Sequence, residues 1–273
     1  MSHLRVLVAA YIGALTLLIS GAQQAEADPI LGVIDIRPIL GRHDVGNALG
    51  LAYNPDADVI YLAHGSSPLG GFIYTLDIHG NLLSELNFQL AYRPESYPTS
   101  LSYDRSSGHL FVFAFGVGEG GTIVEMSPDG STIFSEFTVP VGGGGGIVVR
   151  DDGIWQSLFA SDIIRHYTRG GVFIEDVSVA ESFPFTGPAD LTSSFTGGFF
   201  IVDEDIRLPR IVEVDMAGNE IAAVSTATLG AGNGLAIDAD VMTQRIFLQV
   251  NNEEIYAGFS DAWLQQAFMG IFS

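Results

Sequence analysis

Cysteine and lysine are both absent from the 273-residue chain. Without cysteine there is no disulfide, no thiolate metal site and no thiol nucleophile, so stability has to come from burial and strand pairing. Without lysine neither a P-loop nor a Ser-x-x-Lys dyad can be built. The eleven basic residues are all arginine and stand against 32 acidic ones, for a formal charge of −21. A surface of that sign repels phosphate backbones and anionic headgroups, which argues against nucleic acid and peripheral membrane binding and favours cations or basic partners. Adaptation to salt and drift in a GC-rich genome both account for an arginine-only basic set. A Gly-x-Ser-x-Gly elbow and a His-Glu-x-x-His motif are missing as well. The Gly-x-Gly-x-x-Gly match at Gly116 to Gly121 joins two strand-like runs instead of opening a helix, so it lacks the geometry that cradles a phosphate.

What is present begins with a leader. Arg5 supplies a positive start, Val6 to Ile19 are almost wholly apolar, and Ala25-Glu26-Ala27 is a small-x-small cleavage site before Asp28. The apolar run is shorter than the ~20 residues of a spanning helix, so a signal peptide over 1–27 is expected and an uncleaved anchor is the competing reading. Its removal leaves 246 of the 273 residues, a length that suits one β-rich domain. The expected product is secreted or periplasmic, with no stable membrane span after cleavage, and monomeric.

The rest of the chain repeats. Four short strand-like runs and three turns fill residues 49–88, and the opening run recurs at Leu51, Leu101, Ile147, Leu191 and Leu235, spaced by 50, 46, 44 and 44 residues. A period of this size is the signature of a propeller. Each unit continues with a run rich in aromatic and β-branched residues, such as Val59 to Ala63 and His109 to Phe115, and then a third run, such as Phe72 to Ile78. Glycine turns at Gly80, Gly130, Gly170-Gly171 and Gly218 lead into a fourth run in the first four units. The fifth unit has no such turn after Phe259, whereas Leu31 to Arg37 is a strand without a unit. Pairing it into the last blade would close the ring and remove an exposed edge. The expectation is an all-β propeller of five four-stranded blades over residues 28–260, closed by the N-terminal strand. A six-bladed ring, with a sixth blade from 28–45 and 255–273, is the alternative. Trp263, Leu264, Ala267, Phe268 and Ile271 fall at helical spacing, so 261–273 reads as a short helix packed on the ring.

The loops entering the inner strands share a face with those between second and third strands, and that face is where a site is expected. Its polar residues include Asn47, His64, Asp203, Asp205 and Asn251 as ligand-contacting candidates. Oxygen donors in such number suit Ca²⁺ or another divalent cation, or a cationic small molecule or protein ligand. Asp190 and Asn233 precede inner-strand anchors on adjacent blades and are placed to point at the axis; hydrogen bonding to loop backbone is the plainer role for both. His43 and His64 are candidates to meet above the first blade as ligand or base.

The Gly-Leu-Ala-Tyr-Asn and Gly-Leu-Ala-Ile-Asp openings and the Ile-Tyr-Thr-Leu-Asp-Ile-His-Gly-Asn third strand and turn resemble the broad class of NHL-like and SMP-30/gluconolactonase-like propellers, over residues 30–260. In the lactonase-like members a divalent ion sits on the axis, held by a Glu of the first blade and Asn and Asp of later ones. That resemblance implies Asp190 and Asn233 as metal ligands with Glu95 as the third, and a lactonase-like hydrolase in which His43 and Glu95 are the catalytic candidates. The first inner strand carries Ala48-Leu49-Gly50 where the Glu is expected, and Glu95 arrives one blade later. The leading reading is therefore a propeller that binds a small ligand or protein through its loop face, with a structural divalent cation. A module of a cell-surface assembly is the third.

Overall fold

The computed structural model describes residues 30–43, 46–66, 70–116, 120–139, 145–182, 188–203, 210–225, 236–242, 245–250 and 253–259. The leader and the 261–273 segment lie outside them. No described helix is long and apolar enough to cross a membrane.

Among the described residues twenty strands form five four-stranded antiparallel sheets. The chain starts with β1 (Ile30–Asp35). Blade 1 is then β2 (Asn47–Asn54), β3 (Val59–Ser66), β4 (Gly70–Asp77) and β5 (Leu82–Asn87). Blade 2 is β6 (Tyr97–Asp104), β7 (His109–Phe115), β8 (Thr122–Met126) and β9 (Ile133–Thr138). Blade 3 is β10 (Ile147–Arg150), β11 (Gly153–Leu158), β12 (Ile163–Tyr167) and β13 (Phe173–Ser178). Blade 4 is β14 (Pro188–Ser193), β15 (Phe199–Asp203), β16 (Arg210–Val214) and β17 (Glu220–Ser225). Blade 5 takes β18 (Ala236–Asp240), β19 (Arg245–Val250) and β20 (Glu254–Phe259) from the end of the chain and β1 from its beginning. Antiparallel pairing from Ile34 opposite Ile255 to Asp35 opposite Glu254 makes β1 the outer strand, so the ring has five blades, closed as the repeat predicts.

Two one-turn helices add to the strands expected from the sequence. In α1 (Arg37–Leu40) a proline in the first turn presets the helical φ, and Ile39 and Leu40 are buried. In α2 (Phe88–Ala91) the Asn87 side chain caps the start by accepting from the Leu90 N–H at 3.2 Å, and Phe88 is fully buried.

The hydrophobic core is divided among the five junctions between blades. Ile34, Leu51, Leu62, Tyr74 and Phe247 fill the junction of blades 5 and 1, and comparable clusters fill the other four. The turn glycines do more than supply positive φ. Each outer turn lies against the outer strand of the preceding blade: Gly80 on Ile34, Gly130 on Leu86, Gly171 on Phe137 and Gly218 on Ser178. A side chain at these positions would collide with the neighbouring blade, and Ile34 of β1 serves in this packing as Leu86, Phe137 and Ser178 do elsewhere. Every outer strand also carries a register shift at its pairing, which twists a lysine-free edge away from a flat, joinable geometry.

Around the axis the inner strands are clamped by side chains that accept from the next blade's backbone. The Ser100 hydroxyl accepts from the Ile147 N–H and that of Ser102 from the Val149 N–H, both at 3.0 Å. In the same manner Asp190 accepts from Ile237 at 2.9 Å and Thr192 from Ala239 at 3.1 Å. The matching register makes Ile237 the equivalent of Leu51, Leu101, Ile147 and Leu191, two residues beyond the Leu235 assigned from the repeat; Leu235 itself lies outside the described residues. Where the preceding position is glycine the strands approach without a side chain. A methyl on Gly50 would meet the Ser100 backbone at 2.6 Å, and one on Gly146 would strike the Asp190 carboxylate.

Candidate functional site

The inner strands begin at one face of the ring, the approach face, and end at the other in tight hairpins. On this hairpin face a cavity of about 730 Å³ opens on the axis, lined from all five blades. Its floor is made by Ser102, Val148, Thr192 and Asp238, one residue past the inner-strand anchors of blades 2 to 5. Nothing from the layer beneath the floor, where Ser100, Gly146 and Asp190 close the axis, lines it. The cavity is a cup.

The hairpins around the cup are built by polar residues at the ends of the inner strands. Asn54 accepts from the Asp56 N–H, Asp104 from Ser106 and Asp240 from Met242, at 3.0 to 3.1 Å. Arginines then tie neighbouring blades. Arg105 pairs with Asp56 (blades 2 and 1), Arg169 with Asp104 (3 and 2), and Arg245 with Asp58 and the Tyr53 hydroxyl (5 and 1). Arg150 donates to the Gly198 and Gly197 carbonyls at 3.1 and 3.0 Å, joining blades 3 and 4. The rim is thus held before any ligand arrives, which lowers the ordering cost of binding.

Charge in the cup is uneven. Burial raises the Asp104 carboxyl, but hydrogen bonds from Arg169, Ser107 and Ser106 outweigh it and hold the group well below the ordinary carboxylate range. Asp238 goes the other way. Burial pushes it up to about 6, against the Tyr53 N–H at 2.6 Å and the Thr192 hydroxyl at 2.8 Å. Asp190, one layer deeper and 4 % exposed, is pushed well above its usual value by burial. It keeps its bonds to Ile237 and Leu191 and, at 3.2 Å, to the Ser100 hydroxyl.

The residues singled out in the sequence are dispersed. His43 stacks on Phe72 at 3.8 Å and meets Glu85 of the outer strand β5 at 2.7 Å. His64 is buried, with Nδ1 3.2 Å from the Tyr74 hydroxyl and Nε2 3.1 Å from the Gly46 carbonyl, and burial lowers its pKa. Both ring nitrogens are thus spent within the fold, Nε2 on the backbone just before the first inner strand and Nδ1 on a buried tyrosine. Asn47 is exposed at the start of β2. Asp203 is buried beside Arg210, whose Nε lies 3.2 Å away. Glu95 is exposed at φ 63°, a left-handed backbone that few residues but glycine adopt readily, and lines a separate 390 Å³ cavity with Tyr92, Phe115 and Thr122. Asn233, Asp205 and Asn251 lie outside the described residues. Among the described residues no group of three or more His, Asp or Glu side chains stands close enough to hold a metal ion.

Sequence reasoning missed Asp238 and the cup it floors. The signal was present as polar residues interrupting apolar inner strands, Ser102, Thr192 and Asp238, each read as ordinary strand.

No protein-family model matches the sequence, and no curated protein is similar to it in sequence. Solved structures are similar in fold. The glutaminyl cyclase of Myxococcus xanthus superposes with a TM-score of 0.63 at 14% identity, over 84% of this chain and 94% of its own. A luciferin-regenerating enzyme follows at 0.52 and 9% identity, over 84% and 95%. At these identities the likeness establishes a β-propeller and leaves the chemistry to the residues of this chain.

Proposed function

We propose that the chain is an exported β-propeller that binds a small ligand in the hairpin-face cup. The carrying observation is the cup itself, a 730 Å³ concavity with a polar floor and a rim fixed by arginines between blades, which is the size and character of a small-molecule site. This moves the site to the face opposite the loops that composition favoured. The leader over 1–27 supports export, and the inner-strand openings and turns support a resemblance to NHL-like and SMP-30-like propellers. With a formal charge of −21 the surface suits a monomer that repels its own copies. Ligand-observed NMR of a fragment mixture tests the role. Ser193→Trp, at a half-buried cup position, should keep the melting temperature within a few degrees and remove the hits; hits that survive the substitution would place binding elsewhere.

A structural divalent cation would have to sit on the approach face, with Asp190, Asn233 and Glu95 as the residues to hold it. The lactonase-like alternative needs the same ion and has no supporting geometry among the described residues. Calcium-dependent melting separates them from the cup. With Asp190 already bonded to Ser100, Ile237 and Leu191, the midpoint is expected to be the same in Ca²⁺ and in chelator, and a rise of several degrees with Ca²⁺ would restore the ion.

A further inference from the structure

Among the described residues the Asp238 carboxylate at the floor of the cup has no countercharge. The Tyr53 N–H and the Thr192 hydroxyl that donate to it are neutral. The ionisable groups packed near it are Asp190 from blade 4, whose carboxyl burial pushes up, and Asp240 on its own strand, and neither can supply a positive charge. The Tyr53 hydroxyl is turned to Asp58 and Arg245. Both arginines of the lining are committed, Arg150 to the Gly197 and Gly198 carbonyls and Arg105 to Asp56. An anionic ligand would find Arg150 alone, its donors spent on carbonyls, against the carboxylates of Asp104, Asp151, Asp152, Asp238 and Asp240 in the same lining. The inner-strand N–H groups of Val149, Ala239 and Tyr53 are also taken, by Ser102, Thr192 and Asp238. Above the floor the wall turns apolar, with Tyr103 and Phe195 half-buried and Val241 and Met242 exposed at 43% and 78%. A partly buried carboxylate lacking a countercharge is unfavourable until a cation reaches it, and aromatic rings beside it receive an alkylammonium or guanidinium group well.

Resting on the cup as the binding site, we propose that its ligand is a small organic cation, an amine or guanidine whose charged head meets Asp238 and whose carbon skeleton lies against Tyr103, Phe195, Val241 and Met242. The floor carboxylate, with its neutral donors, gives the charge preference, and the apolar wall gives the preference for a carbon skeleton over a bare ion.

Three probes of one shape decide it: benzylamine, benzyl alcohol and benzoate, titrated into the full mature chain and followed by amide shifts of Thr192 to Gly197 and Asp238 to Met242. Benzylamine is expected to bind at least about tenfold more tightly than the alcohol, with benzoate weakest. Asp238→Asn should remove about tenfold of the benzylamine affinity and leave that of the alcohol unchanged. Should the variant not fold, the wild-type chain supplies the second readout. Its benzylamine affinity falls as pH drops through about 6, where Asp238 takes up a proton and the amine stays charged. Benzyl alcohol or benzoate binding as well as benzylamine would overturn the cation assignment and keep the cup. No shift in the cup with any probe would overturn both.

Discussion

A chain that starts at Arg37 is expected not to fold, whereas one that starts at Asp28 melts cooperatively. The difference is β1. It gives blade 5 its outer strand, with Ile34 and the following Ile36 at 5% and 0% exposure, and Ile36 continues the pairing by donating to the Glu253 carbonyl at 2.8 Å. Burying two isoleucines is worth about 2 to 3 kcal/mol each, and the strand adds several hydrogen bonds of about 1 kcal/mol each. Against a total of about 5 to 15 kcal/mol for a whole domain, that loss is decisive. Its removal also leaves β20 as a bare edge and takes away the surface on which Gly80 of the first blade is seated. Thermal melting by circular dichroism with both chains makes the comparison, and a synthetic peptide of residues 28–38 added in trans should restore the transition. A truncated chain that melts like the longer one would refute closure by β1.

The closure was legible because it rests on a count. Four units carry an outer run after their glycine turn, the fifth does not, and one strand stands alone at the start. The blades were legible for a similar reason, since strands such as His109–Phe115, Arg245–Val250 and Glu254–Phe259 begin and end where their aromatic and β-branched runs do. The fifth anchor was displaced by two because Leu235 and Ile237 are both apolar and stand two positions apart, so a period of two cannot separate them. Only the hydrogen bonds from Asp190 and Thr192 settle the register. The cup was harder still. Its floor takes one residue from each of several blades more than forty positions apart, and its rim is made of Asn54, Asp104 and Asp240, whose local role in hairpin turns accounts for them completely in the sequence. Loops rich in carboxylates drew attention to the opposite face. A ring of side chains around an axis has no local pattern, and that is why it was missed.

Asp190 gives the second large effect, and its sign depends on pH. The carboxyl is buried at the axis, bonded to the Ser100 hydroxyl and the Ile237 N–H, so it joins blades 2, 4 and 5. Asp190→Ala would strand a buried hydroxyl and a buried amide, each costing about 1 to 3 kcal/mol, and should lower the melting temperature by about 5 to 20 degrees at any pH. Asp190→Asn keeps an acceptor for Ile237 and discards the charge. Because burial raises the folded pKa above the 3.8 of an ordinary Asp, the stability this group contributes is fully present below that value and is lost as pH rises through the folded pKa. Asp238 behaves alike, losing its share between about 4 and about 6. Wild type should therefore be more stable at pH 5 than at pH 8, and Asp190→Asn should shrink that difference, with its melting temperature at or above wild type at pH 8 and below it at pH 5. Surface repulsion among the acidic residues acts in the same direction in both chains, so it cancels in the comparison. A variant that tracks wild type with a constant offset across this range would mean that Asp190 is ionised and well compensated in the folded ring, and that the clamp at the axis works through its geometry alone.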